Sequence, residues 1–340
     1  MTEVCIFIPG YADPVLSPEM MSEGQGRFDS IEKSEPAPWQ AQLCHALGWV
    51  DVASECLPSI VWLEKKLDQG NADLAACLDV HADPIHLKAD RDTALVIPSD
   101  ELQIDSEHAD LLIDSLNEFL ADDKARFYRR GADSWFLGGL SSDSLKACPT
   151  SFVAHRKASA FLPEDDAGGQ WRRLMSEIQM LLHTHPVNSV REKQGLLPIN
   201  SVWFWGNQAQ PPVPVSSNDV VLLADEPYAV TLGKYLSVER HSLAKFDTIA
   251  SIVERLSGQR PSEQRVVILI HALVGSPRQS DPYAYRNQEP QFASRYLDPL
   301  LELVQKGVID KVDLRTEEGL SGTFVKPAAA WWQRLLMLRR

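Results

Sequence analysis

The order of apolar and polar positions divides this chain into short, distinguishable elements. Val4 to Ile8 is an unbroken apolar run closed by Pro9-Gly10, which suits a buried strand. Residues 16 to 38 are rich in Ser, Glu, Gly and Pro and read as a loop. Trp39, Leu43 and Leu47 share one helix face ahead of Gly48, and a second helix is expected from about Ser59 to Leu67. From His81 the texture changes. Ile85 to Leu87 and Leu95 to Ile97 read as strands around the turn Asp90-Arg91-Asp92. Ser106 reads as the N-cap of a helix lined by Leu112, Ile113, Leu116, Phe119 and Leu120. Arg126 to Tyr128 and Trp135 to Leu137 form a strand pair across the turn near Gly131. Trp171, Leu174, Met175, Ile178, Leu181 and Leu182 then recur at helical spacing up to His183, and Val202 to Trp205 follows as a strand.

After Gly206 the stretch GNQAQPPVPVSSND reads as a linker. Val220 to Ala224 and Val266 to Ile270 are continuous apolar runs of the parallel-strand kind, with a helix expected between them from Asp247 to Leu256. A helix from Phe292 to Gln305 and a strand from Lys311 to Leu314 close the unit, and the tail AWWQRLLMLRR reads as a docked terminal helix. The pattern predicts α/β texture at both ends of the chain. For residues 80 to 206 it predicts α+β packing, with helices on one face of an antiparallel sheet.

Composition narrows what such a protein does. At 340 residues the chain has room for two domains, and 44% hydrophobic with 24% charged residues is the ordinary mix of a soluble globular protein. A formal charge of −14 repels nucleic acid, although a local basic pocket remains compatible with a small phosphorylated ligand. No apolar run is long enough to span a bilayer. The N-terminus MTEVCIFIPGYADP has no basic leader and reads as a first strand and turn. The five cysteines form no CxxC pair, which fits reduced thiols in the cytoplasm and no structural zinc site.

The densest chemistry lies between residues 171 and 206. His185, Asn188 and Arg191 follow the amphipathic helix at intervals of three. An Arg with two parallel donors grips a phosphate or carboxylate, and His and Asn orient it. The same residues equally suit a helix stop whose polar groups cap and bridge. Asp83, His86, Asp90 and Arg91 read either as a second polar wall beside that cluster or as a salt-bridged turn.

The segments DPIHLKADRD (83 to 92), SWFLGGL (134 to 140), EIQMLLHTHPVNSVREKQGLLPINSVWFWG (177 to 206) and PLLELVQKGVIDKVDL (299 to 314) resemble the RpfE-type regulatory proteins. This bacterial family is related to the archaeal-type 2,3-bisphosphoglycerate-independent (cofactor-independent) phosphoglycerate mutases. The resemblance implies an alkaline-phosphatase-like α/β core, shortened, made of residues 1–79 and 207–340, with an inserted α+β substrate-type domain at 80–206. His185, Asn188 and Arg191 fall in the H-x-x-N-x-x-R segment, so the resemblance assigns a phosphate-type ligand to them, with His86 and Arg91 beside them.

Active mutases of this kind carry Asp-Gly after the first strand and Asp-His-Gly near the end of the core, where two divalent metals support phosphoryl transfer. Here the first position reads Pro9-Gly10-Tyr11, the second reads VDLRTEEG at 312 to 319, and none of the nine histidines follows an Asp. The resemblance therefore implies a catalytically degenerate, cytoplasmic protein with a regulatory or phospho-ligand-binding role. No catalytic residue is assigned, no cofactor is expected, and the protein partner is unnamed. Two alternatives stand beside it. One is an active mutase or phosphatase holding Mn or Mg through Asp13, Asp281 and Asp313. The other is an interaction module docking through Trp331 to Arg340.

Overall fold

The computed structural model describes residues 2–9, 30–49, 52–67, 80–91, 93–140, 145–163, 169–206, 219–245, 249, 251, 253, 264–270 and 293–325. The strands formed by these residues are, in chain order, β1 (Thr2–Phe7), β2 (Ser30–Lys33), β3 (Val80–Asp90), β4 (Thr93–Ile97), β5 (Arg126–Arg129), β6 (Trp135–Gly138), β7 (Ser201–Trp205), β8 (Val220–Leu223), β9 (Glu239–His241), β10 (Gln264–Leu269), β11 (Lys311–Arg315) and β12 (Leu320–Val325). The architecture is mixed α/β. Two compact units are formed, one from residues 1–36, 217–226 and 238–340, the other from 37–216 and 227–237. The described residues 37–49 and 52–67 thus group with the second unit, whereas the change of sequence texture falls near residue 80.

In the first unit the strand order is β2-β12-β11-β1-β10-β8-β9. β11, β1, β10, β8 and β9 run parallel, and β12 and β2 are added antiparallel at one edge. Val4, Ile6, Ile8, Val266, Ile268, Ile270, Val312 and Leu314 alternate along their strands. They form one core with Leu300, Leu303 and Val304 of the helix Asp298–Gln305. The intervening Cys5, Phe7, Leu222, Val267 and Leu269 are buried as well. Burial of both alternations explains why these strands read as unbroken apolar runs.

In the second unit β3 is the organising strand. Its first half pairs with β6 and β7, its second half with β4, and every pairing is antiparallel. Aromatic side chains fill the space above the sheet. Trp171 of the helix Gly169–His183 packs on Phe204 at 5.1 Å between ring centroids, and Phe127 lies 6.4 Å from the same ring. The helices Trp39–Ala46 and Ile60–Leu67 meet the helix Pro227–Tyr235 through Trp39 against Tyr228 and Trp62 against Tyr235.

Several local expectations are corrected. The N-cap of the helix Ser106–Phe119 is Asp105, whose carboxylate accepts the His108 amide at 2.7 Å, so Ser106 is the first helical residue. The residues after His185 form the helix Pro186–Lys193, which the apolar pattern does not show because only Val187 and Val190 are apolar. β2 lies inside the stretch expected to be loop. The linker at 207–218, Asp13, Asp281 and the Trp331 to Arg340 tail lie outside the described residues. No helix among the described residues is long and apolar enough to cross a membrane.

Candidate functional site

The polar stretch from His185 to Asn200 is built as a clamp on the main chain. Pro186 occupies the first helical turn, where its missing N–H costs nothing, and His185 caps it. The His185 Nδ1 accepts the Val187 amide at 3.3 Å, so the ring proton sits on Nε2 and donates to Ser115 Oγ at 2.9 Å. At the other end Gly195 adopts φ 75°. The Gly195 amide reaches the Glu192 carbonyl at 3.0 Å and the Leu196 amide reaches the Arg191 carbonyl at 2.9 Å. This pair of bonds is a Schellman ending, and it turns the chain so that residues 197 to 200 run back beside the helix.

Asn188 and Arg191 join that returning segment to its surroundings. The Asn188 amide group donates to the carbonyls of Leu182 and Ile199, each at 2.8 Å, and its oxygen accepts the Ile199 amide at 2.8 Å. Arg191 is fully buried. Its Nε donates to the Leu197 carbonyl at 2.9 Å, Nη2 to the Leu102 carbonyl, and Nη1 to the Gln103 carbonyl at 3.5 Å. Gln103 itself stands at φ 51° in the left-handed region. Burial pulls the Arg191 pKa down, against the opposing pull of the Asp105 carboxylate. In this arrangement Asn188 and Arg191 serve a structural role, as the cap-and-bridge reading of the sequence has it. Their donors face backbone carbonyls, and both side chains are buried.

His86 joins the same clamp from β3, its Nδ1 donating to the Pro198 carbonyl at 2.9 Å. Asn200 exchanges two hydrogen bonds with the main chain of Leu87, at 2.7 and 3.1 Å, and so prolongs the β3–β7 pairing beyond Ile85 and Ser201. Arg91 is not brought to this group. It is exposed in the turn after β3 at φ 44°, five residues beyond His86, which is about 16 Å along a strand.

A second polar network is only partly legible in the sequence. His81 and Asp83 are two apart on β3 and so share a face, and His81 pairs in register with Trp205. The imidazole stacks on the Trp205 ring at 3.8 Å and 9°. Asp83 Oδ2 accepts Trp205 Nε1 and Thr150 Oγ1, each at 2.6 Å. Asp83 thus faces Trp205 and Thr150, where the sequence suggests a wall beside Arg191. Gly206 follows at φ 87°, and a Cβ there would stand 2.9 Å from the Ser59 Cβ. A half-buried His155 also pairs through Nε2 with Glu101 Oε1 at 2.6 Å, a partnership no local spacing announces.

In the first unit, Asp313 lies within β11 and not at its tip. Its carboxylate accepts Thr323 Oγ1 at 2.6 Å and Lys311 Nζ at 2.8 Å, with Arg315 at 3.8 Å. Lys311 also reaches Glu3 at 3.2 Å. The turn after β11 closes on itself through Thr316, whose hydroxyl accepts the Leu320 amide at 3.2 Å. Among the described residues no three His, Cys, Asp or Glu side chains gather as a metal site would require.

Known proteins share part of this sequence. The chain aligns with the 2,3-bisphosphoglycerate-independent phosphoglycerate mutase of Methanosarcina mazei at 29% identity over 110 residues, 32% of this chain and 28% of that protein. The Methanosarcina acetivorans mutase matches at 31% over 111 residues, 32% of this chain and 28% of that protein. A probable mutase from Geobacter sulfurreducens matches at 23% over 149 residues, 43% of this chain and 36% of that protein. This is weak homology to the cofactor-independent mutases. The aligned stretch spans less than a third of the length of the first of these relatives. Among solved structures, a cofactor-independent phosphoglycerate mutase from Thermoplasma acidophilum superposes with a TM-score of 0.41 at 14% identity, covering 97% of this chain and 91% of that one. The PH0037 protein of Pyrococcus horikoshii superposes at 0.45 and 10% identity, covering 94% and 85%. No protein-family profile matches the chain.

Proposed function

We propose that this chain is a cytoplasmic mutase-like regulatory protein of the RpfE type that does not carry out phosphoryl transfer. One observation carries the reading. His185, Asn188 and Arg191, which the resemblance puts in the H-x-x-N-x-x-R segment, hold the main chain together, so in this reading their presence preserves a fold and not a reaction. The positions that chemistry would need read differently. Pro9-Gly10-Tyr11 stands in place of Asp-Gly, and VDLRTEEG stands in place of Asp-His-Gly, with Asp313 taken up by Thr323 and Lys311.

Within this reading a small phosphorylated metabolite remains the proposed ligand. It would meet solvent-side donors such as Arg91, not the sealed Arg191. Titration of the full chain with 3-phosphoglycerate by calorimetry, with and without Mn²⁺, together with a coupled mutase assay, tests it. Heat of binding without turnover is expected under both conditions. Turnover accompanied by stoichiometric metal uptake would overturn the proposal and restore the enzyme reading, with Asp13, Asp281 and Asp313 as its ligands.

A further inference from the structure

The helices Ser106–Phe119 and Gly169–His183 border a groove in the second unit. At one end, past the C-terminus of the first helix and at the start of the second, lies a cavity of about 550 Å³. Its walls include Leu120, Asp123, Gln170, Arg173, Leu174 and Glu177. At the other end His185 Nε2, two residues beyond the second helix, donates to Ser115 Oγ at 2.9 Å. The two helices therefore run antiparallel, and the step from Ser115 to Asp123 makes the groove about 12 Å long. Helical spacing sets exposed apolar side chains along it. Phe119, 43% exposed, is four residues from both Ser115 and Asp123, and Leu111, 48% exposed, is one turn back on the same flank. Met180, 67% exposed, stands three residues after Glu177 and seven after Arg173. Exposed apolar residues scattered singly mean little, but here three border one groove.

The rim of the groove is acidic. Glu118, Asp122 and Asp123 are exposed at the end of the helix Ser106–Phe119 and in the turn after it. The last turn of that helix holds no basic residue, so the three carboxylates stand at the negative end of its dipole. That placement costs stability unless a cation meets it. Lys124 follows the three, and Arg173 is already held by Glu177 at 2.8 Å. A groove with apolar anchors and an acidic rim suits a helix that is apolar on one face and basic beside it. The chain carries such a segment. Trp331 to Arg340 combines two Trp, three Leu and a Met with three Arg and no acid, in a chain of net charge −14. Wound as a helix, it would span about 15 Å, close to the length of the groove. Trp331, Leu335 and Leu338 would then share a face, with Arg334 and Arg339 on its two sides.

We infer that the groove between the helices Ser106–Phe119 and Gly169–His183 receives the Trp331–Arg340 segment of a second copy of this chain. An indole fills the cavity against Leu120 and Leu174, where its apolar body is covered. The arginines meet Glu118, Asp122 and Asp123, which replaces carboxylate repulsion at the helix end by charge-assisted hydrogen bonds. So short a segment buries little area, and the association is weak and sensitive to salt. The contact is independent of any phosphorylated ligand.

The test places the photo-crosslinking residue p-benzoylphenylalanine at the exposed position of Met180 in the full chain and mixes this probe chain with unsubstituted full chain labelled with heavy nitrogen. After irradiation, peptide mapping by mass spectrometry should show position 180 joined to heavy-labelled residues 331–340. Glu118→Lys with Asp123→Lys in the probe chain, both at exposed positions, should cut that capture roughly tenfold while circular dichroism stays native. Arg334→Glu with Arg339→Glu in the labelled chain should do the same, and combining the two reversed chains should restore capture. Crosslinks that land outside residues 331–340, or that join light chains only, would overturn the inference. Capture that ignores the charge reversals would overturn it too.

Discussion

Two polar regions of this molecule look alike as sequence and differ in what they hold. Around Arg191, side chains bind main-chain carbonyls from segments far apart in the chain, and the guanidinium is sealed from solvent. Around Asp313, side chains bind mostly one another, in a row of Glu3, Lys311, Asp313 and Thr323 across neighbouring strands, and Lys311 remains partly exposed. An anion site would point its donors at a shared space, and neither region does so. The difference lies in the cost of removal. A buried carbonyl that loses its donor keeps its full desolvation penalty, whereas the buried Asp313 carboxylate, on losing the half-exposed Lys311, keeps Thr323 Oγ1 as a donor and Arg315 at 3.8 Å.

The contrast between the regions is widest at Arg191. Arg191→Ala leaves the carbonyls of Leu197, Leu102 and Gln103 without their donor and opens a cavity, and should cost roughly 3–4 kcal/mol in urea unfolding. A loss below about 1 kcal/mol would put this Arg in the same class as a surface charge. Asn188→Ala strands three main-chain groups and should cost about 2–3 kcal/mol by the same measurement.

Acid should loosen the same clamp through its histidines. Burial holds both His86 and His185 below their ordinary 6.5, for His86 against the Pro198 hydrogen bond and with the help of Lys88. The unfolded chain then binds more protons than the folded one just below pH 6.5, so stability is level above that pH and declines beneath it. Urea midpoints at about pH 7.5 and 5.5 check the sign, and His86→Gln with His185→Asn should flatten the decline. The smallest effect belongs to the other region. Lys311→Met should change stability by less than about 1 kcal/mol, since its partners Glu3 and Asp313 keep access to water or to Thr323. A larger loss would mean that the β11 row is as integral to the fold as the clamp.

The elements that alternate or repeat cleanly are readable in the amino-acid sequence alone. Val4, Ile6 and Ile8 mark β1, and Trp171 to Leu182 mark their helix, because burial on a face imposes its period on the sequence. The helix Pro186–Lys193 escapes such a reading because hydrogen bonds and caps hold it in place of an apolar stripe. The site residues are ambiguous in the sequence for a related reason. His, Asn and Arg at intervals of three present the same letters whether they face a ligand or a carbonyl, and the deciding partners, Leu102 and Gln103, lie 89 and 88 residues away. The His81–Trp205 stack and the Asp83–Thr150 bond likewise depend on pairings between distant segments.

The most direct test is one substitution that keeps the charge and removes the geometry. Arg191→Lys preserves a cation for any phosphate but cannot reach three carbonyls at once. Its unfolding free energy, from urea titration near neutral pH, should fall by about 2–3 kcal/mol, with 3-phosphoglycerate binding to the folded protein unchanged. Full stability with that binding lost would contradict the account and return Arg191 to the role of a ligand grip.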